Sequence, residues 1–208
     1  MSGNGDTANY SATGIGYGAP SPVEGASGTG VTLDGSSGQV VASQPITNPT
    51  TYSEETWFNT TTTQGGYLMG FGSSPSGSSS KRDRQVWMSN NGRLHFGIAN
   101  GSSHVVINSS GSYNDGKWHQ AAATQGAHGL NLYVDGQLVA SNSTAGLPVK
   151  YLGYWRVGYE NLSSWSNSPT DYHFAGTISD VAFYNSELSG IQVQTQYQAF
   201  GTTPPPPG

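Results

Sequence analysis

Twelve acidic side chains and five histidines carry most of the chemistry open to this 208-residue chain. Hydrolysis of a glycosidic bond needs two carboxylates about 5–10 Å apart across the sugar. Closely spaced acids at alternate positions of one strand would supply them. The chain has no such pattern: Glu54 and Glu55 are adjacent and would point to opposite faces, and Asp171 and Asp180 are separated by a strand. No Gly-x-Ser-x-Gly turn offers a serine nucleophile between a strand and a helix. No His-x-x-x-His pair offers zinc ligands. His95 alternates with Leu94 and Phe96, and His119 follows Trp118, so both read as packed, hydrogen-bonded residues. With no cysteine at all, disulfides, thiolate zinc sites and thiol nucleophiles are excluded.

Two non-catalytic chemistries remain. Calcium takes six to eight oxygens from carboxylates and loop carbonyls, and the Gly/Ser/Asn-rich loops can supply carbonyls. The candidate side chains for one structural calcium are Asp180, Asp83 and Asp171. Asp83, in Lys81-Arg82-Asp83-Arg84, also reads as one partner of a solvated salt bridge. Asp34, Asp115 and Asp135 each precede Gly and read as turn formers. Sugar binding uses flat aromatic faces with polar groups beside them. Trp165 stands in the polar loop Leu162-Ser163-Ser164-Trp165-Ser166-Asn167-Ser168, with Tyr159, Glu160, Asn161, Asp171, Tyr172 and His173 near in sequence. Either Trp165 meets a ligand or it pins its own loop to the domain. Trp57, Trp87, Trp118 and Trp155 lie in strand-like runs and read as core. Four of the seven cations fall between Lys81 and Arg93. They could touch an acidic glycan, or form a solvated loop and hairpin.

The elements that must position these residues are short strands. Val31-Leu33 and Val40-Val41 flank the turn cluster Asp34-Gly35-Ser36-Ser37-Gly38. Glu55–Asn59, Tyr67–Phe71, Gln85–Met88, Leu94–Ile98, His104–Asn108, Lys117–Ala121, Tyr154–Gly158 and Phe174–Tyr184 follow. Leu130–Val134 and Gln137–Ala140 flank Asp135-Gly136, a two-residue loop suited to a type I′ turn with positive φ at both positions. That register sets Leu132 opposite Val139 and puts Leu130, Leu132 and Val134 on the core face. Ser189-x-x-Gln192 is a capping box, with Leu188 able to staple onto Val193 at the start of a short helix running roughly to Ala199. Turn signals every 8–12 residues and one short helix predict an all-β, two-sheet antiparallel sandwich.

Composition agrees. Only 9% of residues are charged, with 30 Gly and 11 Pro, yet five Trp, twelve Tyr and six Phe are too many for a disordered chain. Seven cations against twelve anions give no footprint for nucleic acid. No run of 18 apolar residues predicts membrane insertion, and no signal peptide follows Met1. Residues 1–30 read as an irregular Gly/Ser-rich lead-in, 31–200 as one sandwich domain, and 201–208 as a proline-rich linker to a neighbouring module.

Taken in order, these segments resemble a laminin-G-like (LamG) jelly roll of the concanavalin A-like lectin/glucanase superfamily. The carrying pieces are Leu33–Gly38, Glu55-Thr56-Trp57-Phe58, Asn114–His119, Leu132–Gly136, Tyr154–Gly158, Phe174–Ile178 and Ala182–Asn185 with Leu188-Ser189. The resemblance runs from about Ser2 to Ala199 and is closest to bacterial, actinobacterial-type modules of secreted proteins. It implies a concanavalin A-like jelly roll with one C-terminal helix, outside the cell or on its surface. It further implies a non-catalytic carbohydrate-binding or adhesion module whose partners are a poly- or oligosaccharide and neighbouring modules. The alternatives are a structural or protein-interaction spacer and, third, a glycoside-active enzyme. Two departures stand out. The aromatic strand the resemblance leads one to expect before Ser2-Gly3-Asn4-Gly5 is missing or cut away, and Ser179 occupies a place usually acidic, with Asp180 next.

Overall fold

The computed structural model describes residues 7–22 and 29–201, which form two antiparallel sheets and one helix. The first sheet runs β1 (Ala8–Tyr10), β4 (Val40–Ala42), β14 (Leu152–Val157), β7 (Gly66–Gly72), β8 (Arg82–Met88), β9 (Arg93–Asn100) and β10 (Ser103–Ser112), with β5 (Ile46–Thr47) paired to β14. The second runs β13 (Gln137–Asn142), β12 (Gly129–Val134), β11 (Trp118–Gly126), β6 (Tyr52–Asn59), β15 (Ala175–Tyr184), β3 (Gly30–Asp34) and β2 (Ile15–Ala19). The sandwich expected from the turn spacing is present. The lead-in is more regular than its composition suggests, since β1 and β2 form in it and edge one sheet each. The proline run and the Ser2-Gly3-Asn4-Gly5 stretch lie outside the described residues.

Alternation sorts the strands. Val86, Met88, Leu94, Phe96, Ile98, Phe58, Leu130, Leu132, Trp155 and Ile178 fill the space between the sheets. The Asp135-Gly136 turn has φ of 51° and 73°, both positive as the type I′ loop requires. Leu130, Leu132 and Val134 are buried, but Leu132 pairs with Ala140 rather than Val139. The pairing slips by one after Tyr133↔Leu138, a bulge the turn residues cannot announce.

Helix α1 (Gly190–Gly201) is opened by the expected box, in which the Ser189 hydroxyl accepts from Gln192 N–H (3.3 Å) and Gln192 Oε1 accepts from Ser189 N–H (2.9 Å). Leu188 and Val193 pack with Ala122 and Tyr133, so α1 covers the outer face of the second sheet. Trp57 points to that same face and stacks on Tyr197 of α1 (5.5 Å, 15°). Trp155 is core, Trp118 is half-buried, and Trp87 is wholly buried on the outer face of the first sheet.

Five charged groups are completely buried: Glu54, Asp83, Arg84, Arg156 and Glu160. Asp83 accepts backbone N–H from Ala99 (2.6 Å) and Arg84 (2.7 Å), and Arg84 Nη1 (3.2 Å). Arg84 also donates to the carbonyls of Pro49 (2.8 Å) and Val149 (3.2 Å), with its guanidinium 4.9 Å from the Phe71 ring centre. It thus staples two loops to the sandwich. Asp83 is therefore not one end of a solvated salt bridge, and the Lys81–Arg93 cluster is not solvated throughout.

Candidate functional site

The segment after β14 is the loop singled out from sequence. Gly158 N–H bonds Leu68 O (3.0 Å) and Phe174 N–H bonds Gly158 O (2.9 Å), which closes the loop at its base. Glu160 is tied down from several sides. Its Oε1 accepts the N–H of Ser79 (2.9 Å) and Asn161 (2.8 Å), and Oε2 lies 3.2 Å from Arg156 Nε. Arg156 in turn donates to Ser74 O (2.6 Å), Gln39 Oε1 (3.2 Å) and Gly77 O. Glu160 is thus a buried anchor, not a ligand contact.

Trp165 likewise serves the scaffold rather than a ligand. It is only 4% exposed. Its ring stacks on His104 (4.0 Å, 5°), meets Trp87 edge-on (5.5 Å, 61°) and lies over Gly97, where an added Cβ would come within 2.6 Å of it. With Tyr67, Trp87 and Leu162 it forms a second apolar cluster. The side chain pins its loop onto the first sheet and offers no face to a sugar. Tyr172 packs against the same cluster, with partial exposure.

The remaining four loop candidates are half-exposed. Tyr159 and His173 stack face to face (4.0 Å, 13°). Asp171 Oδ1 lies 3.5 Å from His173 Nδ1 and accepts the His173 N–H (2.9 Å). Asn161 accepts from Ser163 N–H (2.9 Å). The Tyr159–His173 stack and Asp171 make a ledge with an aromatic face and a carboxylate, and Asn161 follows two residues after Tyr159 in the same loop.

The three calcium candidates do not come together. Asp83 is fully buried, with both carboxylate oxygens engaged. Asp171 belongs to the ledge. Asp180 accepts the hydroxyls of Ser179 (2.6 Å) and Ser21 (3.0 Å) through Oδ2. Among the described residues no three His, Asp or Glu side chains are grouped to hold a metal ion. Glu54 and Glu55 point to opposite faces as expected: Glu54 enters the core, and Glu55 accepts from Tyr184 Oη (2.9 Å). His119 donates to, or is bridged by, Asp135 (2.7 Å) and Asp115 (3.2 Å), a structural clamp across two turns.

Sequence reasoning passed over a cleft of about 310 Å³ between the two sheets, on the side bounded by β1, β4, β5, β3 and β15. Its walls are Val31, Val40, Ile46, Val157, Ile178 and Phe183, and Tyr10, Asp180 and Asn185 also line it. Tyr10 is 42% exposed and sits 5.7 Å from the still more exposed Tyr17. The only signal in the sequence was a pair of tyrosines in a Gly/Ser-rich stretch.

The fold defines a lectin-like, laminin-G-type sandwich. The Laminin_G_3 family model, of the concanavalin A-like lectin/glucanases superfamily, matches residues 34–194, and the chain belongs to that family. Among curated proteins none matches it in sequence. Among solved structures, it is similar to the binding domain of botulinum neurotoxin serotype G (TM-score 0.64, 17% identity, 94% of this chain and 47% of that one). It is also similar to domain 4 of AbnA, a GH43 extracellular arabinanase from Geobacillus stearothermophilus, in complex with arabinotriose (0.57, 16%, 88% and 81%). A third is the heptameric SAP-like pentraxin from Limulus polyphemus (0.54, 16%, 77% and 75%). The chain spans about half the length of the toxin domain. At these identities the likeness is one of fold.

Proposed function

We propose that this chain is a non-catalytic carbohydrate-binding and adhesion module of a larger secreted or cell-surface bacterial protein. The observation that carries the reading is the half-exposed Tyr159–His173 stack with Asp171 beside it, on a loop held rigid by Trp165 and Glu160. An aromatic face receives the apolar side of a pyranose or furanose ring, and the flanking carboxylate takes its hydroxyls. Domain 4 of the arabinanase, of similar fold, is in complex with arabinotriose, which supports a glycan as the partner. The acids argue for binding rather than turnover. Glu54, Glu160 and Asp83 are buried, Glu55 is tied to Tyr184, and Asp180 is the one acid among the described residues lining the cleft.

A spacer without a sugar site is the second reading. It is favoured by the cover that the Trp165 loop and α1 place over the outer sheet faces. Affinity electrophoresis through a panel of polysaccharides, with and without EDTA, separates the two. Retardation that is lost in Tyr159→Ala and Asp171→Asn supports the ledge, and the EDTA arm reads any calcium dependence. Silence across a broad glycan array leaves the spacer. Release of reducing sugar by the purified chain makes it an enzyme.

A further inference from the structure

We infer that the cleft between the sheets is a second binding site, for a small organic cation with an apolar body and an ammonium head. Its location and chemistry are independent of the glycan ledge. The walls contributed by Val31, Val40, Ile46, Val157, Ile178 and Phe183 are apolar, and the cleft's volume of about 310 Å³ falls at the lower end of small-molecule pockets. An apolar body gains from leaving water there. A neutral apolar ligand would leave one feature of the lining unused, the carboxylate of Asp180.

Asp180 is the only charged residue among the described residues lining the cleft. It stands at a break in the ladder, where β15 loses register with β6 between Ser179 and Ala182, and its φ is 49°. Left-handed backbone is uncommon outside glycine, and bulges re-aim side chains beside binding sites. The Ser179 and Ser21 hydroxyls hold Oδ2 and fix the carboxylate's orientation. Tyr10 adds a half-exposed ring to the same lining, and a ring face attracts a cation. The net charge of −5 draws cations toward the chain at long range. Acid, ring and apolar wall together select an amphipathic ammonium over a neutral or anionic analogue of the same shape.

Isothermal titration with three probes of one shape tests this: phenethylammonium, 2-phenylethanol and 3-phenylpropionate. Saturable binding is expected for the ammonium, at least about tenfold tighter than for the alcohol, with the anion weakest. Asp180→Asn keeps the hydroxyl contacts and suits a positive φ, so it should fold, as an unchanged thermal transition would confirm. It should bring the ammonium down to the level of the alcohol. Ile46→Trp, which fills the cleft from the opposite sheet, should abolish binding of both. Absence of saturable ammonium binding, equal affinity for ammonium and alcohol, or an ammonium affinity indifferent to both substitutions would each overturn the proposal. The glycan reading stands or falls separately, on Tyr159 and Asp171.

Discussion

Replacing Glu54 by Gln should change how the stability of this domain depends on pH. Glu54 is fully buried between the sheets, and neither carboxylate oxygen has a hydrogen-bond partner. Burial pushes its carboxyl well above the ordinary value of 4.5, and nearby Arg84 only partly offsets this while Asp83 adds to it. The folded domain therefore holds Glu54 as a neutral acid at a pH where the unfolded chain has released that proton. A folded-state value above the unfolded one means stability that is complete below pH 4.5 and lost as pH rises. The loss runs at about 1.4 kcal/mol per pH unit for as long as Glu54 stays protonated in the fold. For a chain of this length that corresponds to about 3–5 °C in Tm per pH unit. Glutamine has the same shape and does not titrate. Its buried amide adds a constant offset, so the quantity to compare is the slope and not the height of the curve. Urea unfolding of both proteins from pH 5 upward should show the variant's curve flatter, by up to one proton's worth over the range in which Glu54 stays protonated in the fold. Parallel curves would refute the argument, because they would mean that Glu54 is ionised in the fold and has found a partner.

Three further outcomes follow from the same geometry. Gly97→Ala should drive the Trp165 ring from its slot, speeding proteolysis within residues 159–173 while the core transition falls by only about 1–3 kcal/mol; limited chymotrypsin-type digestion, which can cut at Tyr159, Trp165 and Tyr172, with calorimetry checks it. Glu160→Gln should cost about 3–5 kcal/mol, since it leaves the buried Arg156 guanidinium without its counter-charge, and chemical denaturation measures that directly. Burial pulls the His119 imidazole down, but Asp135 and Asp115 prevail and hold it above 6.5. Its ionic contribution is thus complete below pH 6.5 and fades as pH rises through the folded value. In Asp135→Asn the His119 resonance should titrate at lower pH by NMR, and an unmoved titration would discount the clamp.

What could be read in the sequence was what short-range chemistry dictates. Asp135-Gly136 needed positive φ and received it, and Ser189 and Gln192 capped a helix because both partners lie within one turn. The aromatic strands declared themselves by alternation. What escaped was set at long range. Trp165 sits among serines, which suggests exposure, and only the missing side chain at Gly97, on another strand, makes room to bury it. Arg84 looked solvated within a run of charges, yet its partners are carbonyls of Pro49 and Val149. The one-residue slip at Leu132 and the cleft behind Tyr10 and Asp180 depend on how separate strands meet. Tyr159, Asp171 and His173 meet because the loop closes at its base, while Trp165 and Glu160 beside them serve the scaffold.

The position of β15 also bears on how the domain is assembled. This strand, the last of the described strands, lies inside the second sheet between β6 and β3, which precede it by more than a hundred residues. Until residues 175–184 are available, the edges of β3 and β6 that they bond stay open and Ile178 is absent from the core. Closing so long a loop is an entropic cost met before any contact rewards it, and topologies rich in such contacts fold slowly. The nascent chain can therefore finish its second sheet only once residues 175–184 have emerged, and cleavage just before Ala175 should leave not a smaller domain but an unfinished one.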